Sequence, residues 1–373
     1  MLQLNYMYIH ELANWPYFSW NQHRIAELLL QVRHQQGRLI GGMESIGFHL
    51  REQTVLQTLT QDIVKSSEIE GEILDSSQVR SSVARQLGIE QAALDPIDRN
   101  VDGVVKMILD ATQNFDKPLT KERLFGWHTD LFQESRSGLK KIIIGEWRKG
   151  PVYVVSGQMG KEKIHFEAPS AESIDDEMES FLKWINEENS IDLVLKAALA
   201  HLWFVTIHPF EDGNGRIGRA IADLLLARSE KSSHRFYSLS QQIQAERKHY
   251  YAILEQTQKG TLDVTAWIEW FFGCLERAIQ EAFGILQVVL NKKRVWEMIA
   301  DVVLNERQRK VLNRLLDGFE GKLTSSKWAK IAKCSQDTAH RDIVDLIEKG
   351  ILAKNEEGGR SSSYSLVVRN KNS

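Results

Sequence analysis

Apolar positions recur at helical spacing along most of the chain, with polar residues filling the positions between them. Leu28, Leu29 and Val32, and later Ile63 and Val64, mark amphipathic runs of the kind that turn one face inward. Residues 175–185 (DDEMESFLKWI) begin with acidic side chains, where a helix dipole favours them, and continue with an apolar stripe. Residues 193–207 and 219–228 read as further helices, and 267–295 as one long helix or two separated by a break. One stretch departs from this period. Val152, Tyr153, Val154 and Val155 are β-prone, Ser156-Gly157 and Gly160 supply turn chemistry, and Ile164-His165-Phe166 return, so 149–169 is predicted to be a β-hairpin. A lone hairpin among helices needs a reason, and holding an extended peptide by strand addition is one.

Beyond Asn305 the pattern shortens. Helices are predicted over 306–316, 327–333 and 336–349, the last ended by Gly350 at the C′ position. Ile351-Leu352 and Tyr364-Ser365-Leu366 then flank a polar EEGGRSSS loop, which completes the pattern of a winged helix-turn-helix. The expected fold is mainly α: a helical bundle with a small hairpin, then a C-terminal winged helix. The predicted divisions are an N-terminal helical module over 1–115, a central domain over 116–300 and a winged-helix domain over 301–373, with the linker near 300–304.

Composition adds bounds. The chain has 373 residues, 42% of them hydrophobic, enough for more than one buried core. Its two cysteines, Cys274 and Cys334, are too far apart for a metal pair, which suits a reducing compartment. The opening MLQLNYMYIHELANWP has no basic segment followed by an apolar one, and no run of about 18 apolar residues occurs, so a cytoplasmic protein without a membrane partner is expected. Charge is uneven: 305–373 holds 14 Lys and Arg against nine Asp and Glu, a surplus of five on a chain of net −3. That hints at an anionic partner for the tail alone.

The densest chemistry lies in His208-Pro209-Phe210-Glu211-Asp212-Gly213-Asn214-Gly215-Arg216-Ile217-Gly218-Arg219. Pro209 disfavours an α conformation at His208, so the preceding helix should end there. Gly213 and Gly215 allow close backbone approach just before a new helix, and a helix start with unpaired amides is an anion site. Arg216 and Arg219, three apart, can share a face of its first turn. Asp212 is an oxygen ligand suited to Mg²⁺ shared with phosphates, and His208 is a base with an ordinary pKa near ~6.5. A calcium loop counted from Asp212 fails, because Ile217 stands at position 6 and Asp223 at position 12, where glycine and glutamate are needed. No Gly-Lys-Ser/Thr closes a Walker loop.

This run resembles the Fic family motif His-x-Phe-x-Asp/Glu-Gly-Asn-Gly-Arg-x-x-Arg at every fixed position. Residues 120–272 look like the Fic domain, and the YIHELANWPYFSWN opening and winged-helix end resemble its flanking modules in a common bacterial layout. The resemblance implies a protein adenylyltransferase that moves AMP from ATP to Ser, Thr or Tyr hydroxyls of target proteins, itself among them, and releases pyrophosphate. His208 would deprotonate the hydroxyl. Asp212 would hold Mg²⁺. The Gly213-Asn214-Gly215 backbone would bind phosphate oxygens, with Arg216 aiding, and Arg219 would pair with the γ-phosphate. Phe210 would anchor the core. The hairpin would be the family's flap, with Val154, Val155, Ser156 and Gly157 over the target side chain.

Upstream, Ser66-Ser67-Glu68-Ile69-Glu70-Gly71 fits the family's inhibitory pattern Ser/Thr-x-x-x-Glu-Gly/Asn. The resemblance implies an ion pair between Glu70 and Arg219, with Ser66 and Gly71 as the other motif positions. The plainer alternative is a solvated acidic helix face. Tyr250 or Tyr251 would line the adenine pocket, with Gln258 reaching the nucleotide. A homodimer is expected from the same resemblance. For the tail, Lys327, Lys330, Lys333, His340 and Arg341 suit DNA phosphates, whereas Asp337, Asp342 and Asp345 on the third helix suit a protein-interaction module better. Two whole-protein alternatives stand beside transfer of AMP: a transcription regulator that senses nucleotide, and an enzyme using UTP or CDP-choline.

Overall fold

The structure, a computed structural model, describes residues 7–89, 96–132, 136–137, 140–157, 163–188, 190–316, 321–355 and 362–367. They form two compact units, 1–282 and 283–373.

In the first unit α1 (Gln22–Glu44) starts behind Asn21, whose side chain accepts the Arg24 amide, and α2 (Phe48–Ile69) follows. Asp75, Asp98 and Thr120 cap α3 (Ser76–Leu87), α4 (Arg99–Gln113) and α5 (Lys121–Leu131) in the same way. Two-residue strands β1 (Arg136–Ser137) and β2 (Lys140–Lys141) pair, and then β3 (Tyr153–Ser156) and β4 (Lys163–Glu167) form the predicted hairpin. It is antiparallel, with Val154 opposite Phe166 and a bulge before Val155. Its turn, with Gly160, lies outside the described residues. The remaining helices are α6 (Ile174–Asn186), α7 (Leu193–Ile207), α8 (Asn214–Glu230), α9 (Leu239–Ala245), α10 (Arg247–Gln258) and α11 (Thr265–Met298), whose residues from 283 on are counted with the second unit.

The core is organised around α7, every residue of which is buried from Val194 to Ile207. A helix that is apolar all round has no solvent face to offer. α8 packs along it closely: a Cβ on Gly218 would stand 2.8 Å from Val205 Cγ1. α2, α4 and α5 lean on α8 from its other sides. A buried polar cluster joins α2 to α8. Arg235 pairs with Asp223 at 2.7 Å and faces Glu230 at 3.6 Å, while Asp62 on α2 accepts from the Ser238 hydroxyl at 2.5 Å.

Of the two readings offered for 267–295, the single long helix is the one found: α11 is unbroken, and its buried stripe (Trp267, Phe271, Cys274, Ala278, Ala282, Leu286) keeps helical spacing. One expectation is corrected. α8 begins at Asn214 rather than Arg219, since Gly215 and Gly218 lie in its first turns, where they are tolerated, and only Gly213 stands before it.

In the second unit α12 (Glu306–Leu316), α13 (Ser325–Ala332) and α14 (Gln336–Glu348) enclose Val311, Leu312, Trp328, Ile343 and Leu346. Strands β5 (Leu352–Lys354) and β6 (Tyr364–Leu366) pair antiparallel, and Leu323 bridges to Tyr364 beside them.

Candidate active site

The site starts where α7 stops. His208 takes φ 53° and ψ 57°, a left-handed conformation rather than the extended one expected before proline. Its amide still bonds to Phe204, as a helix-ending residue does, at 3.0 Å. Its Nδ1 lies 3.1 Å from the Val205 carbonyl, which can only accept, so Nδ1 carries the hydrogen and Nε2 keeps a lone pair. Burial holds the His208 pKa below its ordinary value, and the Arg148 guanidinium works in the same direction. The imidazole is thus a neutral acceptor with its tautomer fixed.

Arg148 itself is buried and directs its guanidinium at backbone carbonyls: His208 at 2.8 Å, Gly150 at 2.8 Å and Pro169 at 2.5 Å. Its own amide donates to the Pro209 carbonyl at 2.9 Å. One side chain therefore ties the His208 loop to both feet of the hairpin.

The loop between α7 and α8 is held from inside. Phe210 is fully buried and stacks on His128, with ring centroids 4.2 Å apart. The Gly145 amide donates to His128 Nδ1 at 3.2 Å, which leaves Nε2–H to donate to the Asp212 carbonyl at 3.2 Å. Burial, foremost, lowers the His128 pKa to about 4, so this tautomer is neutral at pH 7. Asn214 folds back, its Oδ1 accepting the Phe210 amide at 2.9 Å and its Nδ2 donating to the Phe210 carbonyl at 2.8 Å. Gly213 precedes α8 with φ 82°, and a Cβ there would meet Phe132 at 2.8 Å. The first intrahelical bond runs from the Ile217 amide to the Gly213 carbonyl, so the amides of Asn214, Gly215 and Arg216 come before the ladder and face outward from the helix end.

A carboxylate reaches that end. α2 closes in a Schellman turn, with the Gly71 amide on Glu68 O and the Glu72 amide on Ser67 O, both at 3.0 Å, and Gly71 at φ 86°. The turn presents Glu70 and Glu72 to α8. Glu70 Oε1 accepts from Arg219 Nη1 at 2.8 Å and lies so close to Gly215 that a Cβ there would stand 2.1 Å from it. Arg219 is buried and also donates to the Ser66 hydroxyl at 2.9 Å and the Ser66 carbonyl at 2.8 Å. Glu72 takes the neighbouring cation, pairing with Arg216 at 2.5 Å, while that guanidinium lies over the Phe132 ring. Glu68 turns away to Lys65. Two of the three acidic side chains thus pair with α8 instead of lying on a solvated face.

α10 supplies the far wall. The Tyr251 hydroxyl lies 3.3 Å from Glu70 Oε2 and 3.2 Å from the Ile69 carbonyl. Tyr250 points inward and meets His201 Nε2 at 2.9 Å, and Gln258, also buried, donates to Thr206 at 3.2 Å. Of the two tyrosines, Tyr251 is the one beside Glu70. On the hairpin Val154 is half-buried, and Val155, Ser156 and Gly157 are exposed.

Among the described residues no group of three His, Cys, Asp or Glu side chains is placed to hold a metal alone. Asp212, two residues before α8, offers a single carboxylate. That donor set fits a Mg²⁺ arriving with phosphate oxygens, since this ion keeps most of its shell in water and phosphate.

The sequence reading missed Arg148, His128 and Glu72. The first two act on backbone carbonyls up to 84 residues away, which leave no side-chain pattern. Glu72 was legible in principle: Glu70 and Glu72 stand two apart, and Arg216 and Arg219 three apart.

Comparison with known proteins places the chain beside one family. Residues 118–226 match the Fic/DOC family model, and residues 8–89 match a domain of unknown function, DUF4172. The protein adenylyltransferase Fic of Culex quinquefasciatus is 27% identical over 224 residues, 59% of this chain and 40% of that protein. Its namesake in Drosophila melanogaster is 28% identical over 224 residues, 59% of this chain and 41% of that protein. The chain thus spans about two fifths of the curated relatives it matches. A Fic family protein from Desulfovibrio desulfuricans has the same fold at 19% identity, with a TM-score of 0.53 over 92% of this chain and 97% of that one. A Fic-domain signaling protein from Bacteroides thetaiotaomicron follows at 21% and 0.52, over 70% of this chain and 98% of that one.

Proposed function

The chain belongs to the Fic/DOC family, and from that premise we propose that it transfers AMP from ATP to hydroxyl side chains of proteins, releasing pyrophosphate, and that Glu70 restrains it. The supporting observation is the proximity in sequence of a tautomer-fixed His208, its Nε2 keeping a lone pair, to three amides before the α8 ladder and a buried arginine in the first turns of α8. A structural histidine has no need of such company.

In this reading His208 Nε2 takes the proton of the incoming hydroxyl. The amides of Asn214, Gly215 and Arg216 receive phosphate oxygens, and Arg219 pairs with the terminal phosphate once Glu70 has left. Asp212 would hold Mg²⁺, which when bound supplies positive charge beside the phosphates. Rate enhancement rests on positioning and charge stabilisation. The restraint has a direct physical form: the Glu70 carboxylate stands over Gly215 and on Arg219, where triphosphate oxygens belong, and repels them. The relatives named protein adenylyltransferase support ATP as donor over UTP.

The test is incubation with α-labelled ATP and Mg²⁺, wild type beside Glu70→Gly and His208→Ala, with labelled UTP in parallel. Glu70→Gly should label protein at least tenfold faster than wild type, and His208→Ala should not label at all. Labelling independent of His208, or equal rates for wild type and Glu70→Gly, would refute the reading.

For the second unit we propose DNA binding. Two of the three carboxylates on α14 that spoke against it are engaged within the unit, Asp342 with Arg307 and Asn305, and Asp345 with Lys349 and Gln308, which leaves Asp337 in the first turn as the remaining objection. Duplex DNA should shift the protein's mobility with steep salt dependence; no shift at low salt would exclude it.

A further inference from the structure

One contact joins the two matched regions, 8–89 and 118–226, and has no part in the scheme above. Strand β4 of the hairpin buries one large ring, Phe166, which is 1% exposed. Two rings from the start of the first region meet it edge-on: Tyr8 at a centroid separation of 5.2 Å and His10 at 5.6 Å. Tyr8 and His10 also stack on each other at 5.7 Å. Aromatic pairs in these arrangements attract beyond the area they bury, so the trio resists sliding. Burial, foremost, lowers the His10 pKa, so the ring against Phe166 is neutral at pH 7.

The segment that carries these rings is itself fixed. It makes a short 3₁₀ turn over Ile9–Glu11, in which the Tyr8 amide donates to the Glu11 carboxylate at 2.6 Å and the Glu11 amide to the Tyr8 carbonyl at 2.9 Å. Ile9 is fully buried beneath it. Farther along, Trp15 Nε1 donates to Glu177 on α6 at 2.9 Å, and Trp15 and Phe18 lie edge-on to Trp203 of α7. The Ser19 amide donates to the Leu262 carbonyl at 2.8 Å, and the Val264 amide to the Ser19 carbonyl at 2.9 Å. Residues 8–19 are thus a strap, tied to α6, α7 and the stretch before α11, with its free end on β4.

The hairpin is therefore held at three places. Arg148 fastens its two feet to the His208 carbonyl. His165 Nδ1 donates to Glu255 on α10 at 2.7 Å. The strap clasps Phe166, which stands opposite Val154 in the register. Only the third holdfast comes from the first matched region, which also carries Glu70.

We propose that this strap is a positioning element of the transfer reaction: Tyr8 and His10, acting through Phe166, set the hairpin against which an acceptor protein is presented. The inference rests on the transferase reading, with the hairpin as guide of the acceptor. It gives the matched domain of unknown function a part in handling the acceptor, besides carrying the restraint on the nucleotide. A misplacement on the order of 1 Å can cost a reaction about a hundredfold, so a loosened clasp should slow transfer. Affinity for nucleotide belongs to the start of α8 and should not follow.

The experiment uses the full chain carrying Glu70→Gly, with α-labelled ATP, Mg²⁺ and a cell lysate as source of acceptors. Two quantities are read: the rate of label entering lysate proteins, and the Kd for Mg-ATP by calorimetry. Tyr8→Ala with His10→Ala should lower labelling about tenfold and leave that Kd within about twofold, which also shows that the variant is folded. Tyr8→Phe, which keeps the ring edge on Phe166, should restore most of the rate when His10 is intact. Phe166→Ala should match the double variant, and adding Tyr8→Ala to it should cost less than about twofold more, because the clasp is already gone. Unchanged labelling in the double variant overturns the proposal. So does a loss of Mg-ATP affinity in step with the rate, or a full further loss when Tyr8→Ala is added to Phe166→Ala. If the Glu70→Gly parent labels no lysate protein, the transferase reading itself has failed and the proposal falls with it.

Discussion

In the proposed reaction His208 has two duties in one ring: Nδ1 fastens it to the end of α7, and Nε2 would take the proton. Because burial lowers its pKa, the ring stays unprotonated on acidification past the ordinary histidine range of ~6.5. For Glu70→Gly, kcat/KM should be flat through neutral pH and fall only at more acid values; an acid limb at or above pH ~6.5 would contradict the assigned environment. Arg148 offers a second check. Three carbonyls in different directions need a guanidinium fork, which an ammonium cannot supply. Arg148→Lys should cut kcat roughly tenfold with little change in KM for ATP, because the α8 amides are untouched. At this scale the motif was legible because its residues are contiguous. Arg148 and His128 were not, because a bond to a backbone carbonyl writes nothing into its partner's identity.

At the scale of elements, the end of α2 shows how a short pattern becomes a device. The glycine of the inhibitory pattern is there for its geometry, since Gly71 at φ 86° closes the turn that aims Glu70 and Glu72 at α8. A Cβ there would meet nothing within 4 Å, so Gly71→Ala costs backbone strain alone, about 1 kcal/mol. That should loosen the latch by up to about fivefold, raising labelling above wild type but below Glu70→Gly. Helix existence was well signalled, as in α7, whose bounds match the prediction residue for residue. Helix starts were less so. α8 was placed five residues late because its glycines resemble loop, and the absence of a break in α11 could be decided only by what its buried face packs on.

At the scale of the molecule, the first unit folds around groups whose proton content differs from that of the open chain. His128 is one: unfolded it binds a proton near pH ~6.5, folded only near about 4. Its depressed pKa means stability is present above the first value and lost as pH falls toward the second, by up to roughly 3 kcal/mol. Asp223 is the opposite case. Burial, and after it the Asp62 carboxylate, push its pKa up, so stability is present at low pH and lost as pH rises through the raised value. Between about pH 4 and ~6.5 the two slopes oppose one another, and above ~6.5 the Asp223 loss stands alone, so unfolding midpoints in urea should fall as pH rises from ~6.5 to about 8, and Asp223→Asn, which holds the uncharged state, should remove that fall. Neither group could be found in the sequence, because burial and the meeting of α2 with α8 are properties of the packed chain.

The carboxylate over Gly215 has one more consequence. Under the proposed restraint by Glu70, ligand and lock would contend for a single seat, but the lock is on a tether, so its local abundance would be set by the fold while that of the ligand is set by the cell. Wild-type enzyme would then work as a gauge of nucleotide supply, nearly silent when the pool is thin and waking as it fills, with a threshold that weakening the tether moves downward.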